Sequence, residues 1–255
     1  MKNMTASINF KYRSVGIRKA ASPLVALAIT GCLSALLALP AGASSITVPN
    51  FSFEANAGAD GNFVAAADDW IITGENFTAA GSYNPTDNEF TGTTGGNIPS
   101  PGEGTDIHLS NLTRSGVDGS AFTVFTSENS LASVIENYVY TLTVAGGNRK
   151  TDVEPDQYTI ELLVDGSSAA STVLDGRTIP ADSFQNITTS FTASAGQAGG
   201  DLTIRLTHST YAGSSFSSGH FDNVRLDAVL IPEPSSLVLM GIAMVGGLWV
   251  FRRRR

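Results

Sequence analysis

Residues 138–144 read Tyr-Val-Tyr-Thr-Leu-Thr-Val, with bulky apolar side chains at every second position. Side chains of an extended strand alternate between two faces, so such a run buries one face and wets the other. Shorter runs of the same character recur at 51–53, 70–72, 107–109, 122–125, 158–164, 171–174, 187–191, 202–207 and 221–230. Turn residues separate them: Gly146-Gly147-Asn148, Asp165-Gly166, Asp175-Gly176 and Gly199-Gly200-Asp201 offer the positive-φ positions that chain reversal needs. About ten strands with no long helix between them predict an all-β fold, an antiparallel β-sandwich of the jelly-roll kind. The only helical patch expected is 127–137, where Glu128, Leu131, Val134 and Ile135 make a short stripe. Residues 84–104, rich in Gly and Pro, predict a long exposed loop.

The two ends read differently. Residues 1–43 have a basic start (Lys2, Lys11, Arg13, Arg18, Lys19), an apolar stretch over 24–39 and a small-residue site at Ala41-Gly42-Ala43, the pattern of a signal peptide. Ile29-Thr30-Gly31-Cys32 resembles a bacterial lipobox, but the apolar stretch runs on past Cys32, which favours ordinary cleavage. The folded part, 44–230, then has no cysteine and no disulfide framework. At the other end, Pro232-Glu233-Pro234 precedes 17 uncharged residues, 235–251, and four arginines, Arg252, Arg253, Arg254 and Arg255. As a helix those 17 residues cover about 25 Å, just short of a bilayer core of about 30 Å. The arginines favour the cytoplasmic side, so the domain is expected outside the inner membrane.

This tail resembles the PEP-CTERM sorting signal of Gram-negative bacteria that make exopolysaccharide. The resemblance implies that Pro232, Glu233 and Pro234 form the processing motif of an exosortase-type membrane transpeptidase. The inner membrane would hold the chain at least transiently, and the final location would be the cell surface or matrix. The marginal span suits a temporary handle better than a lasting anchor.

Between the ends, residues 44–230 carry six basic against 22 acidic residues, a net charge near −16. That balance excludes nucleic acid as a partner. Asn50-Phe51-Ser52-Phe53-Glu54, Trp70 and Phe221-Asp222-Asn223-Val224-Arg225-Leu226 resemble boundary motifs of the galactose-binding-like superfamily, which includes many carbohydrate-binding modules. In that superfamily a structural calcium ion often ties the first strand to the last. The resemblance puts Glu54 and Asp222 at its ligand positions, while the alternative is that both carboxylates satisfy turn amides or face water.

Other chemistry is sparse. His108, His208 and His220 fall in different strands without the close spacing of zinc motifs, and read as surface or strand-face histidines. No G-x-S-x-G elbow is present. Carboxylate pairs such as Asp68 with Asp69, or Glu75 with Glu161, are expected by chance among so many acids. Tyr83, Tyr211 and Phe216 are the aromatics best placed to face a sugar ligand, whereas Trp70 reads as core. The sequence therefore predicts an exported, non-catalytic structural or polysaccharide-associated surface protein. The alternatives are a secreted hydrolase of glycans or esters, and a passive membrane-anchored protein.

Overall fold

The computed structural model describes residues 43–56, 58–91, 98–113, 121–150, 153, 155–212 and 214–231. Among the described residues thirteen strands follow one another: β1 (Ser44–Ile46), β2 (Phe63–Val64), β3 (Trp70–Glu75), β4 (Phe77–Tyr83), β5 (Ile107–Thr113), β6 (Phe122–Ser127), β7 (Ala132–Ser133), β8 (Tyr138–Asn148), β9 (Gln157–Val164), β10 (Ser167–Asp175), β11 (Ser183–Thr192), β12 (Asp201–Ser209) and β13 (Phe216–Leu230). They form two antiparallel sheets. The first, seven-stranded, runs β11-β8-β13-β5-β4-β2 with β1 on β13; the second, six-stranded, runs β10-β9-β12-β6-β3 with β7 on β12. Tyr140, Leu142 and Val144 of the first sheet meet Tyr158, Ile160, Leu162, Ile204 and Leu206 of the second in one core. The chain is thus an all-β sandwich, as the period of two predicts.

Alternation along β13 sets up everything that follows. Phe221 packs edge-on to Tyr158 of the second sheet, so Phe221, Gly219 and Ser217 point inward. Ser218, His220 and Asp222 then point to the outer face of the first sheet. That face is not bare. Phe90, Ile98, Ile107, Ala145 and Phe184, with Tyr83, make a second small core over it.

Three local expectations give way. Residues 51–53 form a turn that enters the 3₁₀ segment Glu54–Asn56 instead of a strand, because Asn50 and Phe53 hold positive φ angles of 44° and 61°. Residues 127–137 are not a helix: β7 pairs there with β12, and the amides of Leu131 and Val134 bond to the carbonyls of Leu202 and Gly200. Gly146-Gly147-Asn148 does not turn but continues β8, where the Phe184 ring occupies the space a side chain at 147 would need. Asp165-Gly166, in contrast, is the two-residue reversal expected between β9 and β10, with φ angles of 49° and 75°. Among the described residues no helix is long and apolar enough to cross a membrane. The span expected over 235–251, the Pro232–Pro234 motif, the four arginines and Cys32 all lie outside the described residues.

Candidate functional site

Asp222 sits at the one irregularity of the central strand. The β13–β8 register shifts between Asp222 and Arg225, Asn223 has a φ of 45°, and the Val224 amide bonds to the Phe51 carbonyl at 2.8 Å. A bulge re-aims the residues beside it. Here it directs the Asp222 carboxylate under the segment 98–106, where Oδ2 accepts from the Glu103 amide at 2.6 Å and Oδ1 from the Asn223 amide at 2.7 Å. The side chain is fully buried. Burial pushes its carboxyl well above the usual carboxylate range against the pull of those amides, and the charges of Glu54 and Glu103 push the same way.

Glu54 braces the same segment from the other side. Its Oε1 accepts from the amides of Thr105 and Asp106, both at 2.7 Å, and Oε2 accepts from the Thr105 hydroxyl at 3.0 Å. Gly104, at a φ of 72°, leaves room for that carboxylate, since a β-carbon there would fall 2.1 Å from Oε1. Asp106 beside it is pushed up to about 6, by burial first and by Glu54 second. Glu54 and Asp222 thus tie the N-terminal turn and the last strand to one loop, each through amides of that loop. Both carboxylates are satisfied without a cation, and among the described residues no three His, Cys, Asp or Glu side chains group so as to hold a metal ion.

The three histidines are all buried on strand faces, in β5, β12 and β13, which is the strand-face and not the surface half of the expectation for them. His108 and His208 point into the sandwich and His220 points to its outer face, so the first sheet separates His220 from the other two. His208 bridges the sheets, with Nδ1 3.0 Å from Ser110 Oγ and Nε2 2.9 Å from Ser217 Oγ. Ser110 in turn bonds Thr123. His108 lies among Phe53, Phe125 and Phe221. His220 meets Phe90 edge-on. Neither His108 nor His220 has a ring-nitrogen partner among the described residues. Burial holds all three neutral, His208 down to about 3 and the others well below the usual imidazole range.

A latch closes the outer layer. Glu89 Oε2 accepts from the Tyr83 hydroxyl at 2.5 Å and from the Thr86 amide at 3.0 Å, and its Oε1 pairs with Arg149 at 3.3 Å. Tyr83 is therefore half-buried and engaged. Tyr211 is also half-buried, with the Arg177 guanidinium 4.3 Å above its ring. Phe216, at the start of β13, is exposed, and Trp70 is in the core as expected. His220 and Asp222 share the outer sheet face because they stand two apart along a strand. The Glu89–Arg149 latch joins residues 60 apart in sequence, and no local pattern marks it.

Similarities to known proteins fit both halves of this picture. A family model described as HpiC1 cyclase matches residues 44–227, and the PEP-CTERM protein-sorting motif matches residues 230–255. The sandwich is similar to a Stig cyclase, FisC of Fischerella sp. TAU, in complex with (3Z)-3-(1-methyl-2-pyrrolidinylidene)-3H-indole: 22% identity, TM-score 0.58, covering 75% of this chain and 100% of that one. An apo-form cyclase from Fischerella sp. is similar at 23% identity and TM-score 0.58, covering 74% and 98%. Carbohydrate-binding modules of the β-sandwich superfamily are also structural neighbours, at 12% identity and TM-score 0.41, covering 66% and 62%. No curated protein matches the sequence. The sorting motif implies export, surface association and recognition by an exosortase. With residues 44–227 matched, the chain belongs to the HpiC1-like cyclase family and carries a PEP-CTERM sorting signal behind its cyclase-family sandwich.

Proposed function

We propose that the protein is a non-catalytic surface or matrix component, a cyclase-family sandwich delivered by exosortase processing and polysaccharide-associated at its destination. The observation that carries the non-catalytic reading is the enclosure of Asp222. A general acid must come within hydrogen-bond reach of the proton's acceptor in the substrate. This carboxyl is fully buried, and each of its oxygens is bonded to an amide of its own chain. In the native producer, intact mass of the surface-released protein is expected to lack residues 235–255. Retention of those residues would remove the processing step from this reading.

A second reading, an acid-dependent cyclase, draws support from the raised carboxyl of Asp222 on the same outer sheet face as the aromatic pair Phe90 and Phe184, whose rings stack 4.9 Å apart. A neutral carboxylic acid in an apolar site can donate a proton. The related Fischerella cyclase was solved with 4-(1H-indol-3-yl)butan-2-one, which makes that compound a suitable probe. The non-catalytic reading expects no saturable binding of it by calorimetry and no difference between the natural chain and Asp222→Asn. Binding that weakens in Asp222→Asn would transfer the case to the cyclase.

A further inference from the structure

Where β3 begins, β6 stops and the chain leaves β1, a cavity of about 160 Å³ opens at one end of the sandwich, lined by Thr47, Asp69, Ser127, Asn129, Ser130 and Leu131 among others. It lies apart from Asp222 and the latch. Pockets for drug-sized ligands run to about 300–1,000 Å³, so this one accepts a single small ring. Its lining combines hydroxyls, an amide and one carboxylate with the apolar residues Pro49 and Leu131, and holds no basic group. A lining that combines apolar carbon with hydrogen-bond donors and acceptors matches the two kinds of surface on a sugar ring.

The rim is held in place by the backbone. Asp69 has a φ of 68°, the left-handed conformation that aspartate adopts in turns. Its carbonyl accepts from the Glu128 amide at 2.9 Å, joining two of the loops that line the cavity. Asn50 Nδ2 bonds the Asp68 carbonyl at 2.9 Å from the third. Ser127 Oγ accepts from the Ile204 amide at 3.1 Å, which leaves its proton to donate, and Ser130 Oγ donates to the Ala132 carbonyl at 3.2 Å, which leaves its lone pairs to accept. The Asp69 carboxylate and the Asn129 amide are bound to nothing else among the described residues. Both are exposed and line the cavity, the carboxylate able to accept from a ligand hydroxyl and the amide able to donate to one.

We infer that this cavity binds a neutral sugar unit, one hexose of a surface polysaccharide. The inference rests on the surface reading above and names its ligand. Asp69 and the acidic domain around it disfavour a uronate or a phosphorylated sugar. Saturation-transfer NMR on the full chain in detergent, with galactose, glucose and galacturonate as probes, tests this. Affinity for one ring in an open site is expected in the millimolar range, about −4 kcal/mol. The expected result is transfer to at least one neutral hexose, transfer to galacturonate several-fold weaker, and loss of most of the hexose signal in Asp69→Asn and in Asn129→Ala. Asparagine tolerates the left-handed conformation, so the first variant keeps the backbone; matching melting temperatures would confirm that both variants are folded. No hexose transfer, transfer unchanged in folded variants, or a preference for galacturonate would each overturn the site. Any of these obtained with protein that is processed and found at the surface leaves the surface reading intact, whereas unprocessed chain retained in the membrane counts against that reading alone.

Discussion

Replacing Phe221 with alanine is expected to cost about 3–5 kcal/mol of stability, the range for emptying a fully buried phenylalanine site. The ring is fully buried in the central strand β13, between β8 and β5. It packs 4.9 Å from the ring of Tyr158 and 5.5 Å from that of His108. Tyr158 also donates its hydroxyl to the Gly147 carbonyl at 2.6 Å and accepts from the His220 amide at 2.9 Å. An emptied Phe221 site would therefore loosen a polar link between three strands as well as open a cavity. Domains of this size are stable by about 5–15 kcal/mol, so the loss is a large fraction of the whole. Urea unfolding of both proteins measures it, and a fall of melting temperature by roughly 6–20 °C should accompany it. A loss below about 1 kcal/mol would mean that the ring is not closely packed.

Acid should unfold the protein in two stages, the second much steeper. His108, His208 and His220 have folded pKa values below the ordinary imidazole value, so the stability they contribute is present above about pH 6.5 and is lost as pH falls. Asp106 and Asp222 have raised folded values, so their contribution is present below the unfolded carboxylate value of about 4 and is lost as pH rises, for Asp106 through about 6. Between about pH 6 and 4 the unfolded chain protonates three imidazoles while the folded chain holds protons on two carboxyls. The net difference of about one proton gives a slope near 1.4 kcal/mol per pH unit. Below about pH 4 the unfolded carboxyls take up protons as well, and the three imidazoles act unopposed down to about 3, where His208 protonates in the fold. The slope then approaches about 4 kcal/mol per pH unit. Glu161, held low by its bond to Arg205, adds to the loss in the same direction. Thermal melts at pH 7, 5, 4 and 3.5 should show a gentle decline followed by collapse. A single uniform slope from pH 6.5 downward would mean that Asp106 and Asp222 are ionised in the fold.

Both results depend on positions that were only partly legible in the sequence. Strand β8 was plain because Tyr140, Leu142 and Val144 share one face at a period of two, and β9, β12 and β13 were readable on the same ground. Strand β4 was missed: Phe77-Thr78-Ala79-Ala80-Gly81-Ser82-Tyr83 is mostly small residues, and only pairing with β5 makes it a strand. The glycines at 146 and 147 read as a turn because local chemistry favours one. Their actual use is to let Ile187 and Phe184 approach the strand, Ile187 at Gly146 and Phe184 at Gly147. Glu54 and Asp222 were singled out together, and the structure does bring both to one loop, although the bonds that hold them come from Glu103, Thr105 and Asp106, which no spacing rule connects to either.

The all-β class, the acidic exported domain and the sorting motif were readable from the residues alone. Each is written in a local period, a composition or a contiguous run, and needs no partner in space to be read. Only the tertiary structure decided which face each residue serves. A strand side chain turns to the opposite face with every step along the chain, so the spacing of two between His220 and Asp222, and the bulge just after them, fix what is enclosed. His108 and His208 fall inside the sandwich and His220 and Asp222 fall beneath its covering loop because of pairing register, a property of strands distant in sequence and invisible along any one of them.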